Sequence, residues 1–459
     1  MYVLDYKSKT PLHLQLFEQL KEDIIKNYKV NERIPSIRKT ATLYNLSKNT
    51  VESAYSQLVA EGYIESIPKS GYVVLENNLT NFSDNSINKA SKILKNDEIK
   101  YDFFPARLEK DSFPLKIWKR LFNKVVNENI DLGNYSDKQG EEGLRKEISK
   151  YIHQSRGVKC NEDQIILGNG FINSMSLLAL ILNSKHNIFA TENPGYYVAR
   201  RVFENHKYKI EKIPVDKNGI DLDKLQLSST KLVYVTPSHQ YPTGVSIPIA
   251  NRIKLLEWAK RNNGIIIEDD YDTELSYINR PIPSLQGLDN NESVVYIGTF
   301  SKALSPGLRV SYMVLPNKLL DIYKKNFYYY DSGVCLMTQK TLKSFIAKGY
   351  WDKHIRKIRT KNKIKHNFMK KTLEEKLGNT MRIVSQGGGL AILLVPTVDF
   401  DWDKLEELSK RKGIKLHYAR DRTGGEFNAL MMGFGGFKED ELKKSLELFS
   451  KLWLQCIIN

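Results

Sequence analysis

Gly298-Thr299-Phe300-Ser301-Lys302-Ala303-Leu304-Ser305-Pro306-Gly307-Leu308-Arg309 is the stretch on which the fold turns. It follows the apolar run Val294-Val295-Tyr296-Ile297 and sets one lysine among hydroxyls, a Pro-Gly turn and an arginine. Upstream, Ile265-Ile266-Ile267 runs into Glu268-Asp269-Asp270-Tyr271. Short β-branched runs that end in polar clusters read as buried strands whose carboxyl ends carry chemistry.

Working outward, the same pattern repeats. Ile165-Ile166-Leu167, Ile188-Phe189-Ala190 and Leu232-Val233-Tyr234-Val235 are further strand-like runs, separated by helical patterns. Alternation of this kind predicts a mostly parallel sheet between helix layers. Each strand leads into a polar motif. Gly168-Asn169-Gly170-Phe171-Ile172-Asn173 opens a helix expected over 174–182, and backbone N–H groups at a helix start can hold an anion. Glu192-Asn193-Pro194-Gly195-Tyr196-Tyr197 offers Tyr196 to lie flat on a heteroaromatic ring. Thr236 to Gly244 supplies a turn, and Lys302 and Arg309 come last.

One chemistry needs all of these together. A cofactor aldehyde requires a lysine amine to form an imine, for which Lys302 is suited. A ring nitrogen kept protonated requires a carboxylate, for which Asp269 is suited, and Tyr271 can bond a ring hydroxyl. A phosphate requires donors, here the backbone of Gly170, Phe171 and Ile172, the hydroxyls of Thr299 and Ser301, and the guanidinium of Arg309.

The first 75 residues read differently. Pro11 opens a helix with Leu16, Leu20 and Ile24 on one face. Ser36 has the chemistry to cap a second helix and Ser47 a third, whose apolar face is Val51, Ala54, Tyr55 and Leu58. Ile64 to Leu75 reads as two strands around the basic turn Pro68-Lys69-Ser70-Gly71. Three helices and a hairpin make a winged helix-turn-helix. Lys48, Asn49 and Thr50 would enter the major groove of double-stranded DNA, with Arg38 and Lys69 as further contacts. Residues 76–100, rich in Asn, Ser and Lys, read as a flexible linker, and as a coil its ends would lie about 25–30 Å apart. The body is expected over 101–459.

Bulk properties fit this division. A chain of 459 residues exceeds one ordinary domain. No apolar run is long enough to span a membrane. The N-terminus lacks a signal-peptide pattern, and Cys160, Cys335 and Cys456 lack metal-type spacing, so a reduced cytoplasmic protein without a metal is expected. The net charge is +17, of which residues 1–75 contribute only +2. One concentration is Lys353, Arg356, Lys357, Arg359, Lys361, Lys363, Lys365, Lys370 and Lys371. It reads either as a solvated helix face or as an accessory contact to a polyanion.

Two resemblances join here. Arg33-Ile34-Pro35-Ser36-Ile37-Arg38, Asn49-Thr50-Val51, Leu58 to Ile64 and Ser70 to Val74 resemble the GntR-type winged helix, with Glu52 as a departure where some relatives carry a base. The body resembles a fold-type I aminotransferase, α/β with a smaller α+β subdomain. The strings 236–244, 268–274 and 298–315 are similar to its MocR-type (GabR-like) branch, which joins such a head to such a body. The resemblance implies pyridoxal 5′-phosphate (PLP) as cofactor, Lys302 as its Schiff-base lysine, Asp269 as pyridinium partner, Tyr196 as stacking ring and Arg309 as phosphate ligand. It implies that Tyr135 reaches the phosphate of a neighbouring subunit, in a homodimer whose heads cross to the partner's body. Aminotransferases place a substrate-carboxylate arginine where counting reaches Asn428, and Arg420 and Arg422 are the nearest basic residues.

Three functions follow as expectations. The first is a transcription regulator sensing PLP, or a compound of PLP with an amine or amino acid, in vitamin B6 or amine metabolism. The second is a working aminotransferase with a vestigial head. The third is a cofactor-free DNA-binding scaffold.

Overall fold

Pro11 caps the first helix of the chain, α1 (Leu12–Asn27), and Leu16, Phe17, Leu20 and Ile24 form its buried stripe. The structure is a computed structural model, and it describes residues 2–68, 70–75, 99–128, 130–183, 187–277, 283–385, 387–419 and 429–458. The chain divides into two compact units, Met1–Lys95 and Asn96–Asn459.

In the first unit, β1 (Arg33–Ile34) precedes α2 (Ile37–Tyr44) and α3 (Lys48–Ala60). Ser36 and Ser47 accept from the backbone N–H of Lys39 and Thr50, the capping expected from their chemistry. Asn45 takes a left-handed conformation to turn the chain between the two helices. The strands β2 (Ile64–Ile67) and β3 (Gly71–Val74) form the wing, and β1 adds to β3, a third strand that the sequence reading missed. Two residues are too short for periodicity to register; the pairing with Val73 and Tyr72 makes the strand. Leu16, Val51, Ala54, Tyr55, Leu58 and Ile64 are fully buried at its centre. Each such large side chain contributes about 1.5–3 kcal/mol by leaving water.

The second unit begins with β4 (Tyr101–Asp102), α4 (Leu115–Val126) and α5 (Glu142–Arg156). The alternating region follows: β5 (Ile165–Gly168), α6 (Phe171–Asn183), β6 (Ile188–Asn193), α7 (Tyr197–Asn205), β7 (Lys209–Asp216), β8 (Gly219–Ile220), α8 (Leu222–Leu227), β9 (Leu232–Val235), α9 (Ile249–Asn262), β10 (Ile265–Asp270), α10 (Leu285–Leu288), β11 (Val294–Thr299) and β12 (Ser311–Val314). The helices α11 (Asn317–Asn326), α12 (Leu336–Ala347) and α13 (Tyr350–Leu377) then lead out of it. Last come β13 (Met381–Ser385), β14 (Ala391–Pro396), α14 (Trp402–Arg411), β15 (Ile414–Lys415), β16 (His417–Tyr418), β17 (Leu430–Gly433) and α15 (Glu439–Leu454).

Strand order in the large sheet is β5-β12-β11-β10-β9-β6-β7-β8. The pairs β11/β10, β10/β9, β9/β6 and β6/β7 are parallel, whereas β12 runs antiparallel to both its neighbours. Strands β5, β9, β11 and β12 are buried along almost their whole length, as burial under helices on both faces requires. A smaller antiparallel sheet, β13-β14-β17-β16, forms the subdomain, and β15 pairs with β4. This is the α/β architecture with a smaller α+β part that the sequence predicts. Among the described residues no helix is long and apolar enough to cross a membrane. The linker expected over 76–100 lies almost wholly outside the described residues.

Candidate cofactor site and DNA-reading head

Three acids in a row, Glu268-Asp269-Asp270, end β10, and strand alternation sends them to opposite faces. Glu268 accepts from the backbone N–H of Leu285 and Gln286 at the start of α10. Asp270 accepts from Arg156 Nε at 2.6 Å and from the Tyr296 hydroxyl at 2.7 Å. Asp269 alone turns the other way, where the buried Tyr234 hydroxyl donates to its Oδ2 at 2.5 Å. Among the described residues it has no cation within ion-pair distance. Burial pushes its carboxyl up to about 7, with the Tyr234 hydrogen bond pulling the other way.

Lys302 follows the neighbouring strand β11. Its Nζ lies 5.7 Å from the centroid of the Tyr271 ring. Burial pulls its ammonium below the ordinary lysine value, against the carboxylates of Asp272 and Asp269. A depressed value leaves more neutral amine at a given pH, which is what a nucleophile needs.

The Gly170 turn supplies the third element. Gly170 sits at φ +86, and a Cβ there would lie 2.0 Å from Arg309 Nη2. The guanidinium therefore rests in the space that a side chain would fill, and its Nη2 donates to the Asn169 carbonyl at 3.5 Å. The helix after the turn starts at Phe171, three residues before the expected Ser174, which puts the Phe171 and Ile172 N–H groups in its first turn. Their side chains leave the anion cradle to the backbone: Phe171 packs edge-on against Tyr196 and Tyr234, and Ile172 is exposed. Thr299 Oγ1 donates to Ser301 Oγ at 3.0 Å and accepts from the Ser301 N–H, so both hydroxyls sit in one turn beside Lys302. Tyr196 stands at the N-terminus of α7, with the rings of Phe171 and Tyr241 edge-on to it.

Tyr271 lies beside Lys302, and Tyr135 stands at the surface. Tyr271 donates its hydroxyl to the His239 carbonyl at 3.0 Å. Tyr135 is 85% exposed, beneath the Lys138 ammonium. Asn428, Arg420 and Arg422 lie outside the described residues, as does Lys69 of the wing.

Sequence reasoning missed a buried pair beside Lys302. His239 and Asp272 meet at 2.8 Å, Nδ1 to Oδ2. Burial works to lower the imidazole value, yet the Asp272 carboxylate outweighs it and the value ends raised. Gly389 covers the pair: at φ +71, a Cβ there would stand 2.8 Å from Asp272 Oδ2. Tyr277 fixes that glycine by donating to its carbonyl at 2.5 Å. His239 lies within the Thr236 to Gly244 motif, and Asp272 follows Tyr271. The signal was the adjacency of β9 and β10, which brings their following loops together.

In the head, Arg38, Lys48 and Asn49 are exposed on α2 and at the start of α3. The Thr50 hydroxyl meets Ser47 Oγ at 2.8 Å at the start of α3.

Comparison with known proteins places both units. Residues 12–74 match bacterial regulatory proteins of the gntR family, and residues 106–411 match aminotransferase class I and II. The HTH-type transcriptional regulator YdeL of Bacillus subtilis, itself uncharacterized, is 35% identical over 96% of this chain and 97% of its own length. The probable rhizopine catabolism regulatory protein MocR of Rhizobium meliloti is 33% identical over 78% of this chain and 76% of its own. The chain belongs to the MocR-type family of HTH-type transcriptional regulators. The MocR-type body shares its fold with an archaeal alanine:glyoxylate aminotransferase, at TM-score 0.70 and 23% identity, covering 77% of this chain and 91% of that one. YdeL matches along head and body together, which favours the regulatory reading of this MocR-type chain over an aminotransferase with a vestigial head.

Proposed function

We propose that this regulator binds PLP through Lys302 and that the bound cofactor, or its capture by a small amino compound, changes how the heads hold an operator. The observation that carries the proposal is the convergence on one sheet edge of three matched groups. Lys302 offers an amine of lowered basicity, Asp269 a buried carboxylate without a cation, and Gly170 with Arg309 a phosphate cradle.

The residues fit the group. PLP supplies an electrophilic aldehyde and an electron-withdrawing ring when bound. Lys302 would hold the aldehyde carbon. Asp269 would hold a proton on the ring nitrogen, and its own charge would gain there the cationic partner it lacks among the described residues. Arg309, with the N–H groups of Phe171 and Ile172, would hold the phosphate. Tyr196 would stack on the ring. Tyr135, turned to solvent in its own chain, would serve a neighbouring subunit's phosphate in a homodimer with crossed heads. An effector carboxylate would be met from the 420–428 segment, by Asn428, Arg420 or Arg422.

On the DNA side, Arg38, Lys48, Asn49, Thr50 and Lys69 would contact phosphates and base edges, and the protein would act in the cytoplasm. A ligand shifts DNA binding only through different affinities for two arrangements of the dimer. The test is a footprint and affinity series on the region upstream of the protein's own gene, with PLP, without PLP, and with Lys302→Ala. The expected outcome is a change of footprint with PLP that Lys302→Ala abolishes. Equal affinity and footprint in all three would refute the sensor reading. Sustained amino transfer to a keto acid would instead support the enzyme reading.

A further inference from the structure

The basic concentration over 353–371 separates into three groups once folded. The first faces inward. Lys365 is 1% exposed and donates to Glu109 Oε2 at 2.6 Å, Lys361 donates to the same carboxylate at 2.7 Å, and Arg359 Nε donates to the Glu274 carbonyl. The second is paired along the helix: Lys370 with Glu374 and Lys371 with Glu375. The third is Lys353, Arg356, Lys357 and Lys363, all exposed. Among the described residues none of these four has a carboxylate within ion-pair distance.

What sets that third group apart is how few acids share its stretch of helix. Some other helix cations are matched one turn away: Lys146 with Glu142, Arg261 with Glu257 and Arg411 with Glu407. The 28-residue helix α13 itself does this in its last turns. Before Glu374 its only acid is Asp352. Spacings of three, one and six residues set the four cations on the outward face, opposite buried His354, Ile355, Ile358 and Asn362.

A second helix extends the surface. α4 has no acid in its sequence, and Lys116, Lys119, Arg120 and Lys124 are exposed along it. Arg120 Nη2 donates to the Tyr350 hydroxyl at 2.7 Å, and its guanidinium lies 5.6 Å from that ring. The α4 cations therefore run up to the first residue of α13. Exposed Asp352 is the only acid on the outward face of α13 before Glu374, and like charges gathered with so few acids raise the energy of the free protein and are relieved by an anionic partner.

We infer that this α4–α13 face of the body is a second, sequence-independent contact for the DNA backbone. Duplex DNA is the partner of choice because the same chain carries a gntR-family head, so a polyanion is already its ligand class. The geometry suits it. Lys353 to Lys363 spans roughly 15 Å of helix, and a duplex carries about one charge per 1.7 Å, so the stripe runs along about nine phosphate charges. Its lysines act as point charges, which meet phosphates without reading sequence. This inference does not depend on the PLP reading.

The test uses the full chain and a mixed-sequence duplex, with affinity measured as a function of salt. The variant is Lys353→Gln/Arg356→Gln/Lys357→Gln. The control, Lys443→Gln/Lys444→Gln/Lys451→Gln on α15, removes the same charge from exposed positions. The slope of log affinity against log salt should become shallower by about 0.9 per lost contact, up to about 3 for the variant. The control should keep the parent slope. The same shift should appear in a Lys302→Ala background without PLP, so failure of the cofactor reading leaves this test readable. An unchanged slope in the variant, or an equal loss in the control, overturns the inference. So does unchanged DNA binding together with lost binding to phosphatidylserine vesicles, which would assign the face to a membrane surface.

Discussion

At Gly170 one missing methyl group decides whether the Arg309 guanidinium fits against the turn. The backbone there is left-handed and the Arg309 guanidinium occupies the place of a Cβ. Gly170→Ala should therefore displace the guanidinium and strain the turn. We expect PLP affinity to fall about tenfold or more, equivalent to about 1.4 kcal/mol, measured by absorbance titration while the far-ultraviolet circular dichroism stays unchanged. An unaltered affinity would remove Arg309 from the cradle. Lys302 gives a second prediction at this scale. Its value is lowered, so the neutral amine appears at lower pH than on a free lysine. The rate of PLP capture should rise with pH and level off below the ordinary lysine value of about 10.4. A rise that follows the ordinary lysine titration would show that burial does not tune it. Asp269 is distinguished from its two acidic neighbours only by the face it takes. Side-chain alternation makes that choice, and the partners Tyr234, Arg156 and Leu285 record it.

Among the elements, α13 carries the most divided duties. One side of it is a basic surface, while the other buries an ammonium in the body through Glu109. Glu109→Gln would leave Lys365 buried without its counter-charge, a change that costs about 3–5 kcal/mol in comparable sites. We expect a markedly lower thermal midpoint for the body, and little effect from Glu375→Gln at the exposed pair. The pH dependence follows from the sign of the shift. Burial works to raise the Glu109 carboxyl, but the two lysines outweigh it and the folded value is lowered. Its stabilisation is therefore complete above the ordinary glutamate value of about 4.3 and is lost as the pH falls through the lower, folded value. In that window the parent should lose stability that Glu109→Gln has already lost, so the two melting curves should converge in acid.

For the whole molecule, the prediction concerns independence of the two units. Arg38→Ala and Lys48→Ala should each weaken operator binding by about 1–3 kcal/mol while leaving PLP affinity unchanged, as read by fluorescence anisotropy and absorbance titration. A loss of cofactor binding in either head variant would contradict separate binding functions. The division into head and body was legible from composition and from two distinct hydrophobic periods. Most of the candidate site was also legible, because a parallel sheet carries its ligand groups at strand ends and each motif directly followed an apolar run. The pair His239–Asp272 was not legible, since its members lie 33 residues apart and only the neighbouring of β9 and β10 brings them together. The strand β1 escaped for a related reason: two residues carry no period, and partners 38 and 40 positions away define them.

By itself the sequence determined the head, the body and the order of strands and helices, and it marked Lys302, Asp269 and Arg309 as candidates at strand ends. Those follow from local hydrogen-bonding chemistry and from apolar periodicity, which each segment carries alone. Only the tertiary structure decided which way each charge faces. It gave Asp269 the Tyr234 hydroxyl and Asp270 the Arg156 guanidinium as partners, and drew the imidazole of His239 onto Asp272. It also sorted nine consecutive cations into those bonded to the body, those paired along the helix and those left open. A charge costs energy unless a partner or water meets it, and the partners come from segments distant in the chain.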